Sequence, residues 1–163
     1  MRRILQQEGA EVIHLGHNRS VEEIAEAAVE EDAHGIALSS YQGGHMEFFQ
    51  FLVQRLAELG RPEIPVFGGG GGTITDEEIS TLHAAGVSHI YSVEDGRLMG
   101  LVGMIQDMIK RADRVLAQTG DPLPDELFRG EPAALARGLT LLETLHAAND
   151  TAALAAIREK LQA

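Results

Sequence analysis

Short apolar runs alternate with amphipathic stretches through most of the chain. Four of these runs are rich in Val and Ile and are flanked by residues that break helices, a pattern typical of buried strands. The four predicted strands are Glu11–Leu15, Gly35–Ser39, Ile64–Phe67 and Ser88–Ser92.

Helical patterns occupy the intervals between the predicted strands. Ser20 with Glu23, and Thr75 with Glu78, have the spacing of capping boxes and predict two helix starts. A third helix is predicted at His45–Leu59, and Gly60 ends it. The predicted buried face of this helix is Phe48, Leu52, Val53 and Leu56. A longer helix is predicted over Leu98–Ala117.

Strict alternation of strand and helix predicts an α/β, doubly wound parallel sheet with helices on both faces. Ligands of such sheets bind beyond the carboxyl ends of the strands. The unusual loops of this chain follow those ends, and they read GHNRS, SSYQGG, GGGGGT and YSVEDG.

The last part of the chain has a different pattern. Thr119–Pro124 is rich in helix breakers and predicts a linker. Pro132–Ala147 predicts a helix, and Asn149 or Asp150 can cap a final one. The predicted apolar face of the first of these helices is Leu135, Leu139, Leu142 and Leu145. We therefore predict two regions, a domain at residues 1–118 and a linker with a helical hairpin at residues 119–163.

Composition narrows the classes of function. The 163 residues carry 13 Lys and Arg against 25 Asp and Glu, a formal net charge of −12. Without clustered basic residues we expect no nucleic-acid partner, and no apolar run is long enough for us to expect a membrane span. The chain has no cysteine, which excludes disulfides and thiolate metal sites and fits a cytoplasmic location.

Five consecutive glycines, Gly68–Gly72, follow the third predicted strand. The run matches neither a phosphate loop, since no lysine follows it, nor the dinucleotide fingerprint, since Thr73 stands where the third glycine belongs. It is either a flexible turn or a surface kept free of side chains for a large ligand. With Ser39 or Ser40 offering a hydroxyl nearby, the second interpretation describes a slot for a flat, mostly apolar group.

Ser39-Ser40-Tyr41, then Gly43-Gly44-His45, with glycines after the next strand, resembles the cobalamin-binding domain of acyl-CoA mutases. The run of glycines and the stretch IYSVEDGRLMGL are most similar to the fused isobutyryl-CoA mutases, within the wider methylmalonyl-CoA mutase family. The resemblance implies a flavodoxin-like sheet, adenosylcobalamin with its cobalt as cofactor, and a part in an isomerase. It implies no catalysis by this chain alone, because no residue here is a candidate acid, base or radical-handling group.

The resemblance also implies roles for individual residues. Ser39 would hydrogen-bond a nitrogen of the dimethylbenzimidazole tail, and Tyr41 would pack against that tail. Gly43 and Gly44 would let the next helix begin close to the ligand. The remaining implied contacts of the cofactor are Gly68, Gly69, Gly70, Gly71, Gly72, Tyr91 and Ser92.

The motif of this family that supplies the lower ligand of cobalt, Asp-x-His-x-x-Gly, has no match here. Asp32-Ala33-His34 comes near it, but Ala37 stands in place of the glycine and His34 lies at the wrong end of the sheet. We interpret His34 as structural, and His17 and His45 as polar loop residues. The axial histidine is expected upstream of Met1, together with the first strand of the sheet, which this chain lacks.

The implied partners are a mutase substrate domain and a GTP-binding chaperone domain, fused or separate, with acyl-CoA bound only through the partner domain. Two alternatives stay open. A corrinoid-carrying module of a methyltransferase resembles the same motifs. A ligand-free, doubly wound interaction domain ranks last, because the strands end in Gly and Ser rather than in a phosphoacceptor Asp.

Overall fold

The computed structural model describes residues 1–40, 43–114 and 116–162. The chain divides into two compact units. The first comprises Met1–Ala28 and Ala33–Asp113, and the second comprises Val29–Asp32 and Arg114–Ala163. The sheet lies in the first unit, and a pair of helices lies in the second.

The described part of the first unit contains three parallel strands, β1 (Ile36–Ser39), β2 (Val66–Gly69) and β3 (His89–Tyr91). The sheet has the order β1-β2-β3, so β2 lies in its centre. Ile36 pairs with Val66, and Phe67 pairs with His89. This order corresponds to the last three strands of the flavodoxin-like order 2-1-3-4-5. The predicted α/β, flavodoxin-like class is confirmed.

The predicted strand at Glu11–Leu15 is wrong. The segment follows α1 (Arg2–Gln7) and has no regular secondary structure. A short strand persists only when a neighbouring strand satisfies its backbone hydrogen bonds, and the described sheet ends at β1. Ile13 is accordingly 51 % exposed, although the local sequence favours a strand.

Four further helices alternate with the strands along the chain: α2 (Val21–Glu30), α3 (His45–Glu58), α4 (Asp76–Ala84) and α5 (Val93–Ala112). Both predicted capping boxes are confirmed. Glu23 N donates to Ser20 Oγ at 3.2 Å, and Ser20 N donates to Glu23 Oε2 at 2.9 Å. Thr75 and Glu78 make the same pair of bonds at the start of α4. These boxes satisfy backbone N–H groups that have no partner inside the helix.

The buried face of α3 differs from the predicted one. Leu52 and Leu56 are buried as expected, but Phe49 is 1 % exposed and takes the place predicted for Phe48. Phe48 and Val53 are only partly buried. Because adjacent phenylalanines lie about 100° apart around a helix, only one of them can face the core.

The helix after β3 begins earlier than predicted. α5 starts at Val93 because Ser92 and Asp95 form a third capping box, in which Asp95 N donates to Ser92 Oγ at 3.1 Å. The predicted helix of Leu98–Ala117 and the predicted YSVEDG loop are therefore wrong at their boundaries. Gly100, with φ of 64° and ψ of 174°, interrupts the helical geometry inside α5.

The second unit contains a short 3₁₀ helix at Asp125–Arg129, α6 (Pro132–Ala147) and α7 (Thr151–Gln162). The predicted range of α6 is confirmed, and Asp150 caps α7 because its Oδ1 accepts from Ala153 N at 3.0 Å. No helix in the described ranges is long and apolar enough to cross a membrane.

The predicted leucine face of α6 is confirmed at Leu145, which is 1 % exposed, and is wrong at its first two positions. Leu135 and Leu139 are 52 % and 54 % exposed, and Leu142 is partly buried. The buried residues of α6 are Ala134, Ala136, Gly138, Leu141 and Leu145. A Cβ on Gly138 would lie 2.6 Å from Leu127 Cδ1, so the helix packs closely through its small residues.

Candidate functional site

The carboxyl ends of β1 and β2 bring the two predicted loops side by side. Ser39 and Gly69, the last residues of their strands, are partners in register. Ser40 N donates to Gly69 O at 2.9 Å, so the pairing continues one residue further. We call the segments that follow the β1 loop (residues 40–44) and the β2 loop (residues 70–75). Ser39 is exposed at this edge of the sheet, where its hydroxyl is accessible to a ligand.

The β1 loop offers open space at its glycines. Tyr41, a predicted contact of the cofactor, lies outside the described residues. A Cβ on Gly43 or Gly44 would meet no atom within 4 Å. Gly44 has a φ of +87° at the N-cap position of α3, a conformation that glycine adopts at little cost. A ligand can therefore approach the backbone here.

The glycine run is divided between strand and loop. Gly68 and Gly69 belong to β2, whereas the prediction ended this strand at Phe67. A Cβ on Gly68 would lie 2.6 Å from Ile90 Cδ1 and even closer to the ring of Phe49. The packing of Phe49 and Ile90 thus explains why position 68 carries no side chain, and a contact of Gly68 with a ligand stays a prediction.

The β2 loop begins with a tight turn. Thr73 N donates to Gly70 O at 3.0 Å, and Gly71 and Gly72 between them have φ of +57° and +92°. Two successive positive φ values are those of a type I′ turn, which strongly favours glycine at both positions. A Cβ on Gly70 would lie well under 3.0 Å from Ser40 O. Three glycines of the run therefore have reasons internal to the fold.

Gly69 differs from its neighbours in the run. A Cβ on it would lie 3.4 Å from Tyr91 O, an ordinary van der Waals distance. No described contact therefore requires glycine at this position, which lies opposite Ser39 in the sheet. The interpretation of the run as a ligand surface depends most directly on Gly69.

His45 is the first residue of α3, where the predicted helix also began. Its interpretation as a polar loop residue is wrong, because it is 9 % exposed. Its Nε2 lies 3.2 Å from Glu78 Oε1 without the alignment of a hydrogen bond, and its Nδ1 makes no hydrogen bond. The sequence spacing of Thr75 and Glu78 revealed the capping box, but it gave no signal that His45 would lie beside Glu78.

Glu78 connects the start of α4 to His45. Its pKa is held below the ordinary value of 4.5, chiefly because Thr75 N donates to it, and then through the Thr75 hydroxyl and the nearby imidazole. The lowered pKa means that the folded protein favours the carboxylate. Its stabilisation is present above pH 4.5 and is lost as the pH falls through the lowered pKa.

We expect Glu78→Gln to flatten the dependence of stability on pH below about 4.5, because glutamine still completes a capping box but does not titrate. Urea unfolding at a series of pH values measures this. Glu77→Gln is the matched control, since Glu77 lies in the same first turn but outside the capping box. If the free energy of unfolding of Glu78→Gln falls at acid pH as it does in the unaltered chain, the stabilising role given to the Glu78 carboxylate is contradicted.

Tyr91 and Ser92 have roles within the fold. The hydroxyl of Tyr91 donates to Asp107 Oδ2 at 3.0 Å, and burial together with this carboxylate raises the pKa of the tyrosine. Ser92 Oγ accepts from Asp95 N as part of the cap of α5. These contacts account for both hydroxyls, and their predicted contact with a cofactor stays a prediction.

A cavity of about 410 Å³ lies beside the β2 loop. Its border is formed by the end of the β2 loop and the starts of α4 and α5, at Gly72, Ile74, Thr75, Asp76, Ser92, Val93, Glu94 and Arg97. A second cavity, of about 290 Å³, lies between α2 and α3 at Phe48 and Phe51, where no predicted site residue borders it.

The residues of this edge suit a flat organic group better than a metal ion. The exposed Ser39 hydroxyl and the backbone free of side chains at Gly43 and Gly69 suit a flat group with few polar atoms, whereas charged residues border the cavity at Gly72. The imidazole of His45 is buried, and neither of its ring nitrogens is exposed at the surface. In the described ranges, no group of three or more His, Asp or Glu side chains could hold a metal ion.

Comparison with known proteins gives a family. The model of the family described as "B12 binding domain" matches residues 1–95. The fused isobutyryl-CoA mutase of Cupriavidus metallidurans is 54 % identical over 143 residues, which are 88 % of this chain and 13 % of that protein. The fused isobutyryl-CoA mutase of Nocardia farcinica is 52 % identical over 163 residues, 98 % of this chain and 15 % of that protein.

A more distant relative is also a mutase that acts on an acyl-CoA. The methylmalonyl-CoA mutase large subunit of Propionibacterium freudenreichii is 38 % identical over 71 residues, 44 % of this chain and 10 % of that protein. The chain thus spans only a small part of each relative, 13 % and 15 % of the two fused mutases. Because the family match covers residues 1–95, more than half of the sequence, this chain belongs to the family of B12 binding domains.

Proposed function

We propose that this chain is the cobalamin-binding module of an adenosylcobalamin-dependent acyl-CoA mutase that rearranges isobutyryl-CoA or methylmalonyl-CoA. The names of its relatives support the reaction, since two are fused isobutyryl-CoA mutases and one is a methylmalonyl-CoA mutase. The observation that carries the proposal is the pairing of Ser39 with Gly69 at the carboxyl edge of the sheet, between two glycine-rich loops.

The residues of this edge would hold the tail of the cofactor. Ser39 would donate its hydroxyl to a tail nitrogen, and Tyr41 would pack beside the tail. Gly43, Gly44 and Gly69 would leave the backbone accessible, while the turn at residues 70–73 would border the nucleotide. When bound, adenosylcobalamin supplies the radical chemistry, whereas the chain binds and orients it.

We propose that the lower ligand of cobalt belongs to a part of the polypeptide outside residues 1–163. Both ring nitrogens of His45 are buried and therefore closed to a bound metal, and His17 lies in an irregular, exposed segment with no orienting carboxylate in contact with it among the described residues. Metal-bound imidazoles generally donate their second nitrogen to such a group.

The proposal includes other domains, because the fused relatives are several times longer than this chain. A substrate domain would bind the acyl-CoA and carry out the isomerisation, and a GTP-binding chaperone domain would accompany it. Residues 1–118 would form the cobalamin domain and residues 119–163 a linker and helical hairpin, which the compact units of the chain support. A cytoplasmic location is also proposed and rests on the cysteine-free sequence.

Ser39→Ala tests the site. We expect it to weaken cobalamin binding by about 0.5–1.5 kcal/mol, the net contribution of one neutral hydrogen bond. Titration of the chain with hydroxocobalamin, followed by its visible absorption, measures the loss. Ser80→Ala is the control, because the Ser80 hydroxyl donates to Asp76 O within α4 and lies outside the predicted site. Equal affinities of Ser39→Ala and the unaltered chain would remove Ser39 from the site.

A further inference from the structure

The β1 and β2 loops are connected by one side chain that the predicted site does not include. Thr73 Oγ1 donates in a shared hydrogen bond to Gly70 O and to Ser40 O, the latter at 3.2 Å. Ser40 belongs to the β1 loop, and Gly70 and Thr73 belong to the β2 loop. The hydroxyl therefore spans both halves of the candidate site.

The backbones of the two loops approach each other closely at this point. Ser40 N donates to Gly69 O at 2.9 Å, and a Cβ on Gly70 would lie well under 3.0 Å from Ser40 O. The Ser40 carbonyl thus faces Gly70, where only a residue without a side chain leaves room for the Thr73 hydroxyl to reach it. Gly70 allows the two backbones to approach each other, and the hydrogen bonds of the Thr73 hydroxyl hold them at that distance.

We propose that Thr73 is a positioning residue that sets the separation of the two loops before the cobalamin tail binds. The proposal rests on the proposed function. Ser39 and Gly69 lie one residue before the connected positions, so a shift of Ser40 against Gly70 changes the distance between the predicted contacts of the tail. When the slot is already formed, binding costs no free energy for ordering the loops. When the slot is loosened, that cost weakens the binding of the ligand.

Three variants at position 73 separate the hydroxyl from the shape of the side chain. Thr73→Val keeps the shape and removes the donor, Thr73→Ala removes both without adding a methyl group near Gly70 O, and Thr73→Ser restores the donor. Thr81→Val is the matched control, because the Thr81 hydroxyl donates to a backbone carbonyl, Glu77 O, at 2.9 Å within α4.

Two measurements on the 163-residue chain distinguish positioning from a general loss of stability. Hydrogen exchange without ligand should be about three- to tenfold faster at the amides of Ser40 and Thr73 in Thr73→Val and Thr73→Ala. The dissociation constant for hydroxocobalamin should rise by a similar factor. Thr73→Ser and Thr81→Val should resemble the unaltered chain in both measurements.

Other outcomes overturn the proposal in different ways. Faster exchange with unchanged affinity would show that the connection between the loops is structural only. Weaker binding with unchanged exchange would show that the hydroxyl contacts the ligand directly instead of positioning the loops. Failure of the unaltered chain to bind hydroxocobalamin would defeat the proposed function, and with it any role of Thr73 in cobalamin binding, whatever the exchange shows.

Discussion

Replacing Gly68 with alanine should lower the free energy of unfolding by about 1–3 kcal/mol, the usual cost of inserting a methyl group into a packed core. The added Cβ would lie 2.6 Å from Ile90 Cδ1 and closer still to the ring of Phe49. Both neighbours are nearly fully buried, at 2 % and 1 % exposure, so they have little room to move aside.

Gly69→Ala is the matched control, one residue along the same strand. Its Cβ would lie at an ordinary 3.4 Å from Tyr91 O, and alanine reduces the conformational freedom of the unfolded chain. We expect a change within about 0.5 kcal/mol. Urea unfolding of the two variants measures the difference, and equal stabilities would contradict the account of the run as a strand packed under Phe49.

Gly69→Val should weaken cobalamin binding at least about tenfold, which corresponds to about 1.4 kcal/mol. Valine suits a strand, so the fold should tolerate it. The branched side chain would stand beside Ser39, in the space proposed for the tail, and would exclude a flat group from the backbone. Of the two strand glycines in the run, Gly69 is the one that packing does not require.

The control for Gly69→Val is Ala37→Val, which makes a similar change in β1 at an exposed position that pairs with Phe67. Titration with hydroxocobalamin and thermal unfolding should be measured for both. If Gly69→Val binds cobalamin as tightly as the control and the unaltered chain do, the glycines of β2 serve the fold alone.

The sequence predicted those elements whose signals are local. Three strands were found because their apolar runs are short and bounded by breakers, and the caps at Ser20 and Thr75 because a hydroxyl stands three residues before a carboxylate. The start of α5 carries the same signal with Asp95 in place of a glutamate. The usual capping box has glutamate or glutamine at this position, so the pattern did not predict a box with aspartate.

The predictions were wrong where tertiary contacts, and not the local sequence, determine the structure. Glu11–Leu15 has the residues of a strand, but strand formation depends on a neighbour that the local pattern does not reveal. In α6 the leucines have the spacing of an apolar face, but Leu135 and Leu139 of that face are exposed. The helix packs instead where Gly138 lets it approach Leu127. Hydrophobic patterning gives little weight to small residues, although they allow the closest packing.

The sequence predicted which residues form the candidate site, but it did not predict why each position carries its residue. Ser39 and the glycines were expected to come together because parallel strands end at one edge of the sheet, and the register of Ser39 with Gly69 agrees with this. The reasons for Gly68 and Gly70 were not predictable, because they depend on Phe49, Ile90 and the Ser40 carbonyl. Those for Gly71 and Gly72 depend on the positive φ of the turn. The link through Thr73 depends on a contact between loops that are distant in sequence.

The most direct test of the central claim compares two corrinoids that differ in the nucleotide tail. The claim is that this chain recognises the tail through Ser39 and the glycine-rich loops. Equilibrium titration of the 163-residue chain with hydroxocobalamin and with cobinamide, which lacks the tail, measures the contribution of that part alone. We predict saturable binding of the cobalamin and at least about tenfold weaker binding of cobinamide, a difference of about 1.4 kcal/mol or more. Equal affinities for the two corrinoids, or no binding of the cobalamin, would contradict the claim.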